Sequence, residues 1–349
     1  MTCAAVIGVG AMGRNHARVY NEMLDVELVA VADLDPALVQ EAARLRGAHA
    51  YTDYQAMLEE IQPDLVTVAV PTQIHCPVVL DALEAGCHVL VEKPIAATLE
   101  EGRRMIERSA ELDRVLAVGH IERYNPAVIE MKRRLDNGEL GQIFQIHTRR
   151  LGPFPARVRD VGVVVDLAPH DLDIMRYLTG KEVWRLYAET EQEIHTAHED
   201  LFSGLIRFDG GVVGVLNINW LTPTKVREIT VTGQRGMFLA NLLTQDLYFY
   251  ENEEAGGLDW SHLSLLRGVG EGQMVRLRLH RREPLRAELE AFVAAARGEQ
   301  GLIVSGEDGL VALELAQALV RSGREGRVVT TKIEATERNE GTTSRSNRE

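Results

Sequence analysis

Gly8-Val9-Gly10-Ala11-Met12-Gly13 follows directly on a short apolar run, Ala4–Val9, and opens a stretch of helical period. A run of that length and character reads as a buried strand, which puts the glycines at a strand-to-helix turn. Each glycine has its own physical task. Gly8 permits the tight turn, Gly10 lets the backbone come close to a pyrophosphate, and Gly13 lets the helix pack against the strand. The helix N-terminus, at Ala11 and Met12, adds amide donors and the positive end of a dipole. Asp33 closes the second strand candidate, Val26–Ala32, where a carboxylate can accept hydrogen bonds from both adenosine ribose hydroxyls. A 2′-phosphate would set like charge against Asp33, and neither Leu34 nor Asp35 brings a compensating arginine, so NAD is favoured over NADP. The rival reading, a mere turn followed by a loop-capping Asp33, requires three agreeing signals to be accidental.

Outward from this turn, short β-branched runs alternate with helical segments as far as Ala117. Strands are expected at Ala4–Val9, Val26–Ala32, Leu65–Val70, His88–Val91 and Val115–Val118, and helices at Pro36–Arg46, Pro77–Ala85 and Leu99–Leu112. Thr98 and Glu101 have the spacing of a capping box. The pattern predicts a doubly wound parallel sheet over residues 1–121. A helix over Pro126–Asp136 then gives way to strand candidates at Gln142–Arg150, Trp184–Glu189, Leu201–Phe208, Val212–Trp220 and Val226–Thr232. Polar turns such as Asp209-Gly210-Gly211 join them, so residues 122–333 are expected to form an α+β domain with a mostly antiparallel open sheet. Helices at Pro284–Ala296 and Gly306–Ser322 pack on this sheet or return toward the first domain. Glu251–Arg282 reads as an irregular excursion and 334–349 as a disordered tail.

The 349 residues are 45% hydrophobic and 26% charged, ordinary globular material with room for two cores. With 38 basic against 52 acidic residues the net charge is -14, which disfavours nucleic acid and anionic membrane surfaces as partners. Cys3, Cys76 and Cys87 lack paired spacing and read as reduced thiols in a cytosol. No signal peptide and no membrane span is expected, and the localisation expected is cytoplasmic. No metal site is expected: His195 and His198 have a metal-pair spacing only if helical, and no third ligand lies nearby.

Two further stretches carry chemistry. Glu92-Lys93-Pro94 ends the strand candidate His88–Val91, at the carboxyl edge where open α/β sheets bind ligands. A lysine there can hydrogen-bond a substrate hydroxyl, although position alone does not separate it from a solvated surface lysine. Asp166 and His170 stand one helical turn apart, with Pro169 marking an early helical position. Histidine suits removal of an alcohol proton near neutrality, and a carboxylate beside it can orient it and stabilise its charged form. Helix-start acids beside a surface histidine would give the same spacing.

The glycine-rich turn, Glu92-Lys93-Pro94 and Asp166…His170, in this order and spacing, resemble the glucose-fructose oxidoreductase and inositol dehydrogenase (Gfo/Idh/MocA) family, through about Thr330. The resemblance implies that Lys93, Asp166 and His170 form a catalytic, substrate-binding set facing the nicotinamide. It also implies cofactor contacts from Pro71, Thr72 and His75 and from Glu92; His75 is otherwise an ordinary polar residue at a helix start. Arg123 suits a phosphate or carboxylate and Asn125 sugar hydroxyls or an acetamido group, so Arg123, Tyr124 and Asn125 are candidate substrate contacts. A polar linker in which Arg123 pairs with Glu122 is the alternative.

Within the family the resemblance is strongest to the nucleotide-sugar branch, the UDP-N-acetylglucosamine 3-dehydrogenases. It implies a 3-keto product suited to a following aminotransferase, and a dimer or tetramer; an exposed face of the C-terminal sheet is a natural surface for such self-association. A free cyclitol or monosaccharide as substrate, or a NAD(H)-binding sensor without turnover, are the other readings. His147 and Arg149 face either an interface or the pocket.

Overall fold

In the computed structural model, which describes residues 1–44, 47–155, 161–194, 198–252, 271–299 and 301–331, the chain divides into two compact units. The first comprises Met1–Asn125 with Arg281–Glu314, the second Pro126–His280 with the residues from Leu315 on.

The first unit holds six parallel strands: β1 (Thr2–Ile7), β2 (Val26–Ala32), β3 (His49–Tyr51), β4 (Leu65–Val68), β5 (His88–Glu92) and β6 (Leu116–Gly119). Their order is β3-β2-β1-β4-β5-β6, the doubly wound arrangement expected. Neighbouring residues of a strand point to opposite faces, and each face has its own core. On one side Ala5, Ile7, Val66 and Val89 pack with Met57, Leu83 and Met105 of α3 (Tyr54–Ile61), α4 (His75–Glu84) and α5 (Leu99–Glu111). On the other, Ala4, Val6 and Val31 pack with Ala17, Tyr20 and Val39 of α1 (Ala11–Glu22) and α2 (Pro36–Arg44). That second face is completed at β5 and β6, where Leu90 and Ala117 join Leu285, Leu289 and Phe292 of a later helix, Pro284–Ala296. The return of 281–314 to this unit differs from the division at 121/122 expected from sequence. The physical reason is that α1 and α2 cover β1 to β3, and the other half of the face needs an apolar helix from elsewhere. The capping box at α5 is formed: Thr98 Oγ1 accepts from the Glu101 amide at 3.2 Å, and Glu101 Oε2 from the Thr98 amide at 3.1 Å.

The second unit contains α6 (Pro126–Asp136), α7 (Val163–Thr179) and nine strands: β7 (Ile143–Pro153), β8 (Val183–Glu191), β9 (Leu201–Phe208), β10 (Val213–Asn219), β11 (Leu221–Gly233), β12 (Gly236–Asn241), β13 (Asp246–Asn252), β14 (Glu271–Leu277) and β15 (Val329–Thr330). Their order is β14-β13-β12-β11-β7-β10-β9-β8-β15, antiparallel except where β10 runs parallel to β7. The helices Pro284–Ala296 and Gly306–Glu325 are α8 and α9. Part of the stretch read as an irregular excursion is thus strand β14, paired with β13; residues 253–270 and the tail 334–349 lie outside the described residues.

The reading of Pro169 as an early helical position needs correction. α7 starts at Val163, with Gly162 as its N-cap, and Pro169 lies inside it. Tight packing tolerates the proline, which is buried, although its ring removes one helical hydrogen bond. A Cβ on Gly162 would meet the Glu199 carboxylate, the end of a flexible side chain that would have to turn aside.

Candidate active site

In the first unit the strand order changes direction between β1 and β4, and ligands of open α/β sheets bind outside the carboxyl ends of the strands at such a point. Gly8 follows β1, Asp33 follows β2, Pro71 and Thr72 follow β4, and Glu92 ends β5 with Lys93 next to it. The topology therefore collects at one edge residues far apart in the chain.

Gly8 has φ 88°, and a Cβ there would sit 2.6 Å from the Ala69 carbonyl oxygen; a Cβ on Gly13 would sit 1.7 Å from the oxygen of Gly8. At Gly10 a Cβ would meet nothing within 4 Å, so the space a side chain would fill is left clear for a pyrophosphate. Gly10 is also the N-cap of α1, which has no side-chain cap and no acid in its first turn, while Ala11 and Met12 are exposed. These features fit NAD: an open backbone cradle under an anion, at a helix N-terminus. Asp33 Oδ2 accepts from the Val9 amide at 2.8 Å and Oδ1 from the Asp35 amide at 2.9 Å. The same carboxylate thus braces the glycine-rich turn to the end of β2.

Behind the turn, His16 of α1 is fully buried and its Nε2 lies 2.8 Å from Glu92 Oε1. The Lys93 amide donates to Glu92 Oε2 at 3.3 Å. Burial alone would raise the Glu92 pKa, but the hydrogen bond and charge of His16, with Lys93, outweigh it and hold this carboxyl below the usual carboxylate range. Glu92 is accordingly an ionised tie between α1 and the end of β5.

His75 has a different role from the cofactor contact expected. It is 1% exposed, with Nδ1 3.0 Å from the Pro94 oxygen and Nε2 3.0 Å from that of Val70. The ring brackets the loop after β4 to the Lys93-Pro94 turn, whose peptide bond is cis; burial pushes its pKa down against the pull of those carbonyls. Arg123 likewise differs: it is 5% exposed and its Nη1 lies 3.0 Å from Asp308 Oδ2. A buried guanidinium needs such a partner, and Asp308 supplies a structural one where a substrate phosphate or carboxylate was expected. The Tyr124 hydroxyl donates to the Leu302 carbonyl at 2.9 Å, and Asn125 is 2% exposed, so the segment 123–125 fastens the first unit internally.

In the second unit Asp166 and His170 share one face of α7, a turn apart, both half-buried. The next residue, Asp171, faces inward and is gripped by Arg150 of β7, with Nε–Oδ1 at 3.0 Å, Nε–Oδ2 at 3.1 Å and Nη2–Oδ1 at 3.0 Å. This pair fixes the helix turn that carries His170 to the sheet. On β7, Thr148 is fully buried while His147 and Arg149 point to the other face, where Arg149 pairs with Glu228 at 2.9 Å. His198 is exposed and His195 lies outside the described residues. His16, Arg150 and Asp308 were missed from sequence. Only His16 left a signal, its place one turn beyond Gly13.

The model of the oxidoreductase family NAD-binding Rossmann fold matches residues 3–120, and that of the family's C-terminal alpha/beta domain matches 132–331. Myo-inositol 2-dehydrogenase of Thermotoga maritima is 28% identical over 336 residues, 93% of this chain and 97% of that protein. UDP-N-acetylglucosamine 3-dehydrogenase of Acidithiobacillus ferrooxidans is 29% identical over 304 residues, 87% of this chain and 91% of its own. A solved structure of that enzyme superposes with a TM-score of 0.81 at 28% identity, covering 92% of this chain and 96% of its own. With both domain models matched in order and a glycine-rich turn built to take the dinucleotide, the chain belongs to the Gfo/Idh/MocA family of NAD-dependent oxidoreductases.

Proposed function

We propose that the protein oxidises a secondary hydroxyl of a sugar or cyclitol to a ketone, and that its substrate is UDP-N-acetylglucosamine, oxidised at the 3-hydroxyl. The observation that carries this reading is the likeness, over most of both chains, to the Acidithiobacillus enzyme of that activity. When bound, NAD supplies the acceptor for the hydride that leaves C3. His170 takes the hydroxyl proton, and Asp166, one turn before it, orients the imidazole and stabilises its charged form. Lys93 donates to the substrate oxygen and polarises it, with Glu92 and His75 holding the turn that presents it. The protein is assigned to the cytoplasm.

The experiment is product identification. Protein, NAD and UDP-N-acetylglucosamine, with an aminotransferase and an amino donor to draw the ketone forward, should yield a 3-amino sugar nucleotide by mass spectrometry; unaltered substrate contradicts the reading. A second reading, a free cyclitol, is supported by the equal likeness to myo-inositol 2-dehydrogenase; it predicts oxidation of myo-inositol in the same assay.

The assembly proposed is a homo-oligomer formed through the sheet face away from α6 and α7. Across it Tyr187, Leu205, Val215, His147, Thr230, Leu239 and Tyr248 stand in register, and Leu205 is 54% exposed. A Leu205→Arg protein should lose mass in light scattering; an unchanged mass contradicts the interface.

A further inference from the structure

One acid of α8 faces inward. Glu288 is 2% exposed in a helix whose other inward residues include Leu285, Leu289 and Phe292, and neither carboxyl oxygen has a hydrogen-bond partner among the described residues. An unpaired buried carboxylate is far costlier than the neutral acid, so such a group keeps its proton or moves. Charged and titratable groups surround it on every packed element. α1 brings Tyr20 and, one turn earlier, His16; β5 brings Glu92; the turn Ile121–Tyr124, which packs on α8, brings Glu122 and Arg123, with His120 just before it. Arg123 is held by Asp308, and on α8 itself Arg286 pairs with Glu290. Burial and then the charge of Glu92 push the Glu288 carboxyl well above the usual range, in the opposite sense to Glu92. Two acids in one neighbourhood, driven apart, divide the roles of proton holder and anion.

We propose that Glu288 is a positioning residue of the cofactor site that acts through Glu92 and works only as the neutral acid. Uncharged, it leaves Glu92 as the one carboxylate to which His16 and the Lys93 amide are directed. Ionised, it repels Glu92 and competes for His16, whose Nδ1 is buried without a partner among the described residues. Ionisation thereby loosens the bond that ties α1, and with it the glycine-rich turn, to the strand end bearing Lys93.

The proposal needs only the NAD site, which makes its test independent of the substrate. Infrared spectra of the full chain labelled with 13C-glutamate should show the carbonyl stretch of a protonated carboxylic acid at neutral pH, absent from Glu288→Gln. NADH affinity, followed by fluorescence, should fall reversibly on the alkaline side by about tenfold per pH unit once Glu288 ionises, since only the neutral form binds well. Glu288→Gln should hold its affinity over that range, while Glu290→Gln on the outer side of the helix should keep the wild-type profile. Absence of the protonated band overturns the proposal, as does a Glu288→Gln profile matching wild type. If Glu288→Gln does not fold, the labelled wild-type spectrum and Glu288→Met, expected to flatten the profile, decide it in the same way.

Discussion

Asp33 serves two ends with one carboxylate. Its bonds to the Val9 and Asp35 amides brace the loop, and we propose that its charge disfavours a 2′-phosphate. The two can be separated. Asp33→Asn keeps one acceptor oxygen for the loop but removes the charge, so it should relax discrimination against NADP with a modest loss of NAD affinity. Asp33→Ala should weaken NAD binding further; unchanged affinity and selectivity in titrations of both variants would contradict the ribose contact. Lys93→Ala and His170→Ala should each lower turnover by about 100-fold or more, the usual scale of general acid–base help, while NAD binding survives. Full turnover by either variant would remove that residue from the proposed chemistry. His75 and Arg123 show what the sequence could not convey at this scale. A histidine or arginine near a loop end reads the same whether it meets a ligand or a buried carbonyl or carboxylate, and only the packing tells them apart.

At the scale of elements, the turn of α7 that bears His170 is anchored by one buried ion pair. Asp171→Ala takes away the carboxylate that the buried Arg150 guanidinium grips through Nε and Nη2, a loss of about 3–5 kcal/mol on the usual scale for breaking a buried ion pair. Urea unfolding should show that loss, and a change within error of zero would mean that the pair does not hold the helix. Elements with strong periodicity were legible from the chain: α6 and α8 run as their patterns indicate, and β9 does so to the residue. The start of α7 was not, because Pro169 resembles a first-turn proline while the helix begins six residues before it, at Val163. The short β3 and the strands β12 to β14 also escaped notice. Three residues carry too little pattern, and the later strands mix glycine, charge and aromatic residues on a sheet with one uncovered face.

Over the whole molecule, the two sheet types and the NAD-binding fold were legible because a glycine-rich turn and alternating runs are local signals. Membership of α8 in the first unit was not, since Leu285, Leu289 and Phe292 mark an apolar face without naming the strands it covers. A chain ending at Asn125 should therefore fail to fold cooperatively or bind NAD, its β5–β6 face being bare on one side; cooperative melting with NAD affinity intact would contradict that account. The central claim, an NAD-dependent dehydrogenase of UDP-N-acetylglucosamine, is tested most directly by NADH absorbance with purified protein and NAD, offered UDP-N-acetylglucosamine, UDP-glucose, myo-inositol and glucose in parallel. NADH formed selectively with UDP-N-acetylglucosamine is the result predicted, and NADH formed only with the free polyols would contradict it.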